Sequence, residues 1–160
     1  MPQMKIQFTS SGDDLPALVQ RIVAIARTAP QQRSFSIDVN QLTEIPGFTG
    51  DDIQLEQVIL NLLLNAQKAL PAGGHVEITL DYDDEAKAIR IDVKDNGPGI
   101  PEEIRKKIFQ PFFTTRTDGT GLGLATCLKN VQYHGGSIEV HSEVGRGTTF
   151  AVTIPLLCQI

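Results

Sequence analysis

The chain has 160 residues, 41% of them apolar and 21% charged, which is enough for one domain with a core and too little for two ordinary ones. That mix excludes a disordered chain, a collagen and a coiled coil, and no run nears the roughly 18 apolar residues that span a bilayer. With 14 basic and 19 acidic residues the net charge is −5, so nucleic acid and anionic membranes are poor partners and any bound phosphate must be held by local geometry.

The opening stretch, MPQMKIQFTS, has neither the apolar core nor the cleavage pattern of a secretory signal. Cys127 and Cys158 match no metal-ligand spacing and read as reduced thiols of a cytoplasmic protein. Residues 1–12 read as a lead-in to a domain spanning 13–156, with 157–160 as a tail. Asp13 and Asp14 open a predicted helix to about Thr28. Leu15, Leu18, Val19, Ile22, Val23 and Ile25 recur in it at helical spacing, with Pro16 in the first turn. Phe35, Ile37 and Val39 alternate with polar residues over 34–39, a strand pattern. A second helix is predicted over 51–70, started by the acidic pair Asp51 and Asp52 and stopped by Pro71, Gly73 and Gly74. Strands at 75–82 and 88–94 are each apolar on one face. A turn-rich stretch from 95 to 123 holds a short helix near 102–109. A third long helix runs from about Gly121 to Gly135, and strands at 137–142 and 148–154 close the domain. Helices and strand pairs mix without regular βαβ alternation. The predicted class is α+β, with helices on one face of a mixed sheet.

Four constellations carry chemistry. Asn61, Asn65 and Lys68 share one face of the second helix, amid an almost wholly apolar run. The two amides either bridge backbone groups of a neighbouring loop or face a polar cavity. In a cavity their oxygens suit Mg²⁺, and Lys68 supplies a point charge for phosphate. Asp95-Asn96-Gly97-Pro98-Gly99 follows a strand directly. Asn-Gly alone could be a plain hairpin turn, but Pro98, Ile100 and Pro101 suit a loop. An aspartate there can accept hydrogen bonds from an exocyclic amine, and the glycines would admit a flat ring. Gly119-Thr120-Gly121-Leu122-Gly123 precedes a helix, whose free N–H groups favour phosphate. It matches neither the dinucleotide fingerprint nor the P-loop. Finally, Phe109, Phe112 and Phe113 crowd five residues of a polar stretch ending in Thr114, Thr115 and Arg116. This is either a satellite apolar cluster or the anchored base of a lid that brings those three near phosphates.

Taken in order, LEQVILNLLLNAQKAL resembles the N box, DNGPGI the G1 box, IFQPFFTT the F box and GTGLGLA the G2 box. These belong to the catalytic ATP-binding domain of sensor histidine kinases, in the wider family shared with gyrase, heat-shock chaperone and mismatch-repair ATPases. The resemblance extends through GSIEVHSEVGRGTTFAVTIPL and covers roughly residues 10–156. It implies the Bergerat fold, a two-layer α/β sandwich with three main helices on one face of a mixed sheet. By matching boxes it implies that Asp95 binds the adenine amine, with Gly97, Gly99 and Ile100 beside the ring. Asn65 would ligate Mg²⁺ and Asn61 would be a second ligand or hold a water. Lys68 and Arg116 would contact phosphates, with Thr114 and Thr115 close by. Gly119, Thr120, Gly121, Leu122 and Gly123 would present backbone N–H groups to them. Phe109 would anchor the lid, and Thr148 would assist Asp95 through a water.

Hydrolytic members of the wider family carry a glutamate general base at the position of Asn61, and an amide takes no proton at neutral pH. Hydrolysis is therefore expected to be suppressed and ATP held for another nucleophile. None of His75, His134 and His141 has the acidic neighbour on an amphipathic helix that a phosphoacceptor carries. The resemblance thus implies a piece of a longer, homodimeric kinase of two-component signalling, of a kind that can carry a membrane anchor. This piece would be monomeric on its own and would phosphorylate a histidine on a separate helical hairpin, for onward transfer to a response-regulator receiver. A regulatory module without transfer, or a gyrase- or chaperone-type ATPase, are the alternatives.

Overall fold

Period-two alternation builds one sheet, and helical spacing covers one of its faces. The computed structural model describes residues 6–7, 14–28, 35–47, 49–113 and 123–156. In chain order its elements are β1 (Ile6–Gln7), α1 (Leu15–Thr28), β2 (Phe35–Gln41), β3 (Thr49–Gly50), α2 (Asp52–Ala69), β4 (Gly74–Asp83), β5 (Ala88–Asp95), α3 (Glu102–Arg105), α4 (Gly123–Tyr133), β6 (Ser137–Glu143) and β7 (Gly147–Pro155). Five strands make a sheet in the order β2-β4-β5-β7-β6. β2 runs parallel to β4 and every other neighbour is antiparallel. The lead-in contributes β1, which pairs with β3 in a separate ribbon too short to show any periodicity.

Register decides what the helices meet. Val93 lies opposite Phe150, which lies opposite Val140; one row further, Ile91, Val152 and Ile138 align. These rows join Val76, Ile78 and Leu80 of β4 in a single core with α1, α2 and α4. α2 is central, packed between α1 and α4. Its N-cap is Asp51, whose Oδ1 accepts the Gln54 N–H at 3.1 Å, satisfying one of the helix's free donors. Leu55, Val58, Ile59, Leu62 and Leu63 are buried along its length. Each contributes roughly 1.5–3 kcal/mol on leaving water.

The structure corrects three expectations. Ile25 is 56% exposed and Ala26 is buried instead, because the buried stripe of α1 runs through 15, 19, 22 and 26. The helix expected over 102–109 stops at Arg105. Beyond it Lys107, Gln110 and Phe113 each bond the carbonyl three residues back, a run of tight turns. Those turns bury Ile108 and set Phe109 edge-on to Phe150, with ring centres 6.3 Å apart. Third, Asp95 is the last residue of β5 and not the first of a loop.

Candidate functional site

Three sheet positions that share a face with the apolar rows break their pattern. Asp95, Thr148 and Ser142 align across β5, β7 and β6 in the row next to Val93, Phe150 and Val140. Asp95 and Thr148 are buried. The Thr148 and Ser142 hydroxyls lie 2.8 Å apart. Ser142 Oγ also accepts the Ile100 N–H at 2.7 Å, which ties the loop after β5 to β6. Arg105 adds a second tie, its guanidinium donating to the Ser142 carbonyl at 2.8 Å. A shallow hollow of about 310 Å³ opens at this edge of the sheet; it reaches Asp95, Ser142 and Thr148 but is lined as much by Lys94, Thr149 and His141, which alternate with them onto the other face.

Burial raises the Asp95 carboxyl above its ordinary range, and hydrogen bonds with the Gly97 and Thr148 backbone partly offset this. The Gly97 N–H reaches Oδ1 at 2.9 Å. Two glycines here are dictated by close backbone approach. Gly99 has φ +79°, and a Cβ on it would fall 2.2 Å from the Glu143 carbonyl oxygen. Gly147 has φ +110°, and its Cβ would fall 2.0 Å from the Asp95 carbonyl oxygen. Gly99 therefore serves the packing of the loop against the β6–β7 turn. At Gly97 a Cβ would approach Asp95 Oδ1 at 3.0 Å and the Ala69 carbonyl at 3.4 Å, so the loop also leans on the end of α2.

The second half of the site is α2. Asn61 and Asn65 are half-buried and Lys68, in the last turn, is exposed. Asn61 donates to the Gly123 carbonyl at 3.4 Å, which brings the N-terminus of α4 against it. Its amide also interacts with the buried Cys127 thiol, which burial pushes up to about 12. Bridging a backbone carbonyl and facing a cavity are thus both open to Asn61, and Asn65 lies one turn nearer the sheet's polar row. Among the described residues no cluster of three His, Cys, Asp or Glu could hold a metal. Two amide oxygens fit a cation that keeps most of its waters and shares phosphate ligands, as Mg²⁺ does. They do not make a cage.

Ile100 and Phe109 are half-buried beside this region and Gly123 begins α4. Phe112 is 74% exposed with φ +64°, an unusual backbone for a bulky residue. Thr114, Thr115, Arg116, Gly119, Thr120, Gly121 and Leu122 lie outside the described residues. Sequence reasoning passed over Ser142, Arg105 and Asn130, and weighed His134 only to set it aside as structural or solvated. Ser142 was detectable, since it continues the inward parity of Ile138 and Val140 with a hydroxyl. The others act through long-range partners that carry no local signal.

Residues 50–157 match the family described as histidine kinase-, DNA gyrase B-, and HSP90-like ATPase. The signal transduction histidine-protein kinase AtoS of Escherichia coli is 41% identical over 143 residues, which cover 89% of this chain and 23% of AtoS. The chain therefore spans about a quarter of the length of that relative. The solved catalytic domain of histidine kinase ThkA, in a nucleotide-free form, is 31% identical with a TM-score of 0.84 over 97% of both chains. ThkA in complex with the response regulator protein TrrA is 28% identical with a TM-score of 0.77, over 95% of this chain and 42% of that one.

Proposed function

The chain belongs to the histidine kinase-, DNA gyrase B-, and HSP90-like ATPase family, and on that footing we propose that it is the domain of a sensor histidine kinase that holds Mg·ATP for transfer to a histidine elsewhere. The observation that carries the reading is Asp95. A carboxylate made costly by burial, at the end of an apolar face and beside a glycine loop, is worth keeping if a ligand amine donates to it. The adenine amine is such a donor, with Gly97, Ile100 and Thr148 around it.

The residues left to hold the phosphates are those of α2 and the start of α4. Asn65 would offer an amide oxygen to Mg²⁺, and Asn61 would be a second ligand or hold a water. Lys68 and Arg116 neutralise phosphate charge, with Thr114 and Thr115 near them. Gly119, Thr120, Gly121, Leu122 and Gly123 would supply backbone N–H groups to the phosphates. No proton acceptor stands where hydrolysis needs one, because Asn61 is an amide. Positioning and charge neutralisation suffice for phosphoryl transfer to an incoming histidine nitrogen: the N–P bond forms as the bond to the ADP oxygen breaks. That histidine sits on a dimerising helical hairpin, and a receiver domain takes the phosphoryl group from it. The domain bounds 13–156 and the tail 157–160 belong to this reading.

The test is to supply Mg·ATP with and without the cognate hairpin and receiver. Transfer only when the hairpin is present supports the reading. Nucleotide binding without transfer in either case points to a regulatory module, and phosphate release by the chain alone to an ATPase.

A further inference from the structure

The interface of α2 with α4 is a polar seam inside the core. At one end Asn61 donates to the Gly123 carbonyl. One turn on, the Cys127 thiol donates to the Val58 carbonyl at 3.6 Å. Next, the buried Asn130 amide donates to the Gln54 carbonyl at 3.2 Å and to Gln57 Oε1 at 3.1 Å. At the far end the fully buried His134 accepts the Asp51 N–H on Nε2 at 2.9 Å. Because Nε2 accepts, the proton sits on Nδ1, which donates to the Asn130 carbonyl at 2.8 Å. As the residue number falls along α2 it rises along α4, so the four ties fix the register of two antiparallel helices.

The tie at His134 is not the one the local sequence offers. Asp51 and Gln54 are spaced as a capping box, in which the Gln54 side chain would take the Asp51 N–H. Here a residue 83 positions away takes it. A hydrogen bond that could have been satisfied within one turn of α2 is spent on holding α4. Apolar packing alone leaves helices some freedom to slide, because hydrophobic contact is non-directional. Directional bonds at both ends remove that freedom.

We propose that His134, seconded by Asn130, is a positioning residue for the phosphate half of the nucleotide site. It lies about 16 Å along α4 from Gly123, at the 1.5 Å rise of a helix. It sets where the first turn of α4, beginning at Gly123, stands against Asn61 and the neighbouring Asn65 of α2. The proposed adenine half is built from β5, β7 and β6, and among the described residues Asp95, Thr148 and Ser142 make no hydrogen bond to His134. This inference rests on the nucleotide reading above.

The experiment measures two affinities, for adenosine and for Mg·ATP, by nuclear magnetic resonance titration of the full chain. His134→Leu should weaken Mg·ATP about tenfold and leave adenosine within twofold. His134→Gln, whose amide oxygen can accept the Asp51 N–H in place of Nε2, should restore most of the loss. Unchanged Mg·ATP affinity in His134→Leu, or a parallel loss of adenosine, overturns the positioning role while the nucleotide reading stands. A wild-type chain that binds neither ligand overturns the nucleotide reading itself. If His134→Leu lacks a cooperative thermal transition, the same two affinities are read on Asn130→Ala, with the same outcomes expected and excluded.

Discussion

The two halves of the proposed nucleotide site are fixed by different physics. The adenine half is a row of a sheet. Asp95, Thr148 and Ser142 stand where backbone ladders put them, and Gly99 and Gly147 let neighbouring chains approach too closely for any side chain. The phosphate half is a pair of helices. Its Asn61 and Asn65 are half-buried, and their distance from the start of α4 is held by side-chain hydrogen bonds. A ladder bond cannot be removed by a side-chain substitution, whereas a side-chain tie can. The base pocket should therefore behave as preformed, and the phosphate pocket as adjustable.

The largest effect should come from the row itself. Asp95→Asn replaces an acceptor-only carboxylate by a mixed group and should weaken both adenosine and Mg·ATP by roughly a hundredfold, on the scale of a lost hydrogen bond to a charged group. The same substitution should not lower the melting temperature of the free chain near neutral pH. Asp95 has its pKa raised by burial, so the native state holds its proton more tightly than the unfolded chain does. Stability from this group is thus greatest below its unfolded pKa and falls as pH rises through its folded one. Above that window the ionised carboxylate is a cost that the variant lacks. Adenosine affinity in the wild type should rise with pH through the same range, where the acceptor ionises. A clear drop in melting temperature, or unchanged adenosine affinity, breaks the assignment of Asp95. Gly147→Ala comes second. It forces a Cβ onto the Asp95 carbonyl at a φ that disfavours any side chain. It should cost about 3 kcal/mol in chemical denaturation and about tenfold in adenosine affinity; an unchanged denaturation midpoint would show that the backbone there can give way.

The same division explains what the sequence could reveal. The apolar periods of 76–80, 89–93 and 150–154 made the strands legible, and their parity already marked one face as buried. The N, G1 and G2 boxes singled out Asn61, Asn65, Asp95 and Gly123 as candidates, because each is a short contiguous pattern. Strand order was not legible, since nothing in β2 says that it lies parallel to β4. His134 read as an ordinary residue at a helix end, because its partner Asp51 is remote in the chain and no periodicity links them. Ile25 misled for a related reason: helical spacing gives a stripe but not its centre, and the buried stripe takes in Ala26 and leaves Ile25 outside.

Two smaller effects sharpen the contrast on the helical side. Asn65→Ala should remove the gain in ATP affinity that added Mg²⁺ gives, a few-fold effect, while adenosine binding and the melting temperature stay as they are. Magnesium dependence that survives would move the ligand role to Asn61.

Phe109→Leu should be the mildest. Phe109 stands where the two halves meet, edge-on to Phe150 of β7 and at the head of the turns that lead toward residues 114–122. Leucine keeps most of the apolar contact and loses the aromatic geometry, which is worth about 0.5–1.5 kcal/mol. The chain should lose about that much stability. Adenosine should bind as before, because Phe150 still packs in the row next to Asp95 and Thr148. Mg·ATP should weaken by no more than about threefold, since the anchor is loosened and not removed. If adenosine weakened as much as Mg·ATP, the ring pair would belong to the base pocket, and the boundary between a ladder-built half and a helix-built half would have to be drawn beyond β7.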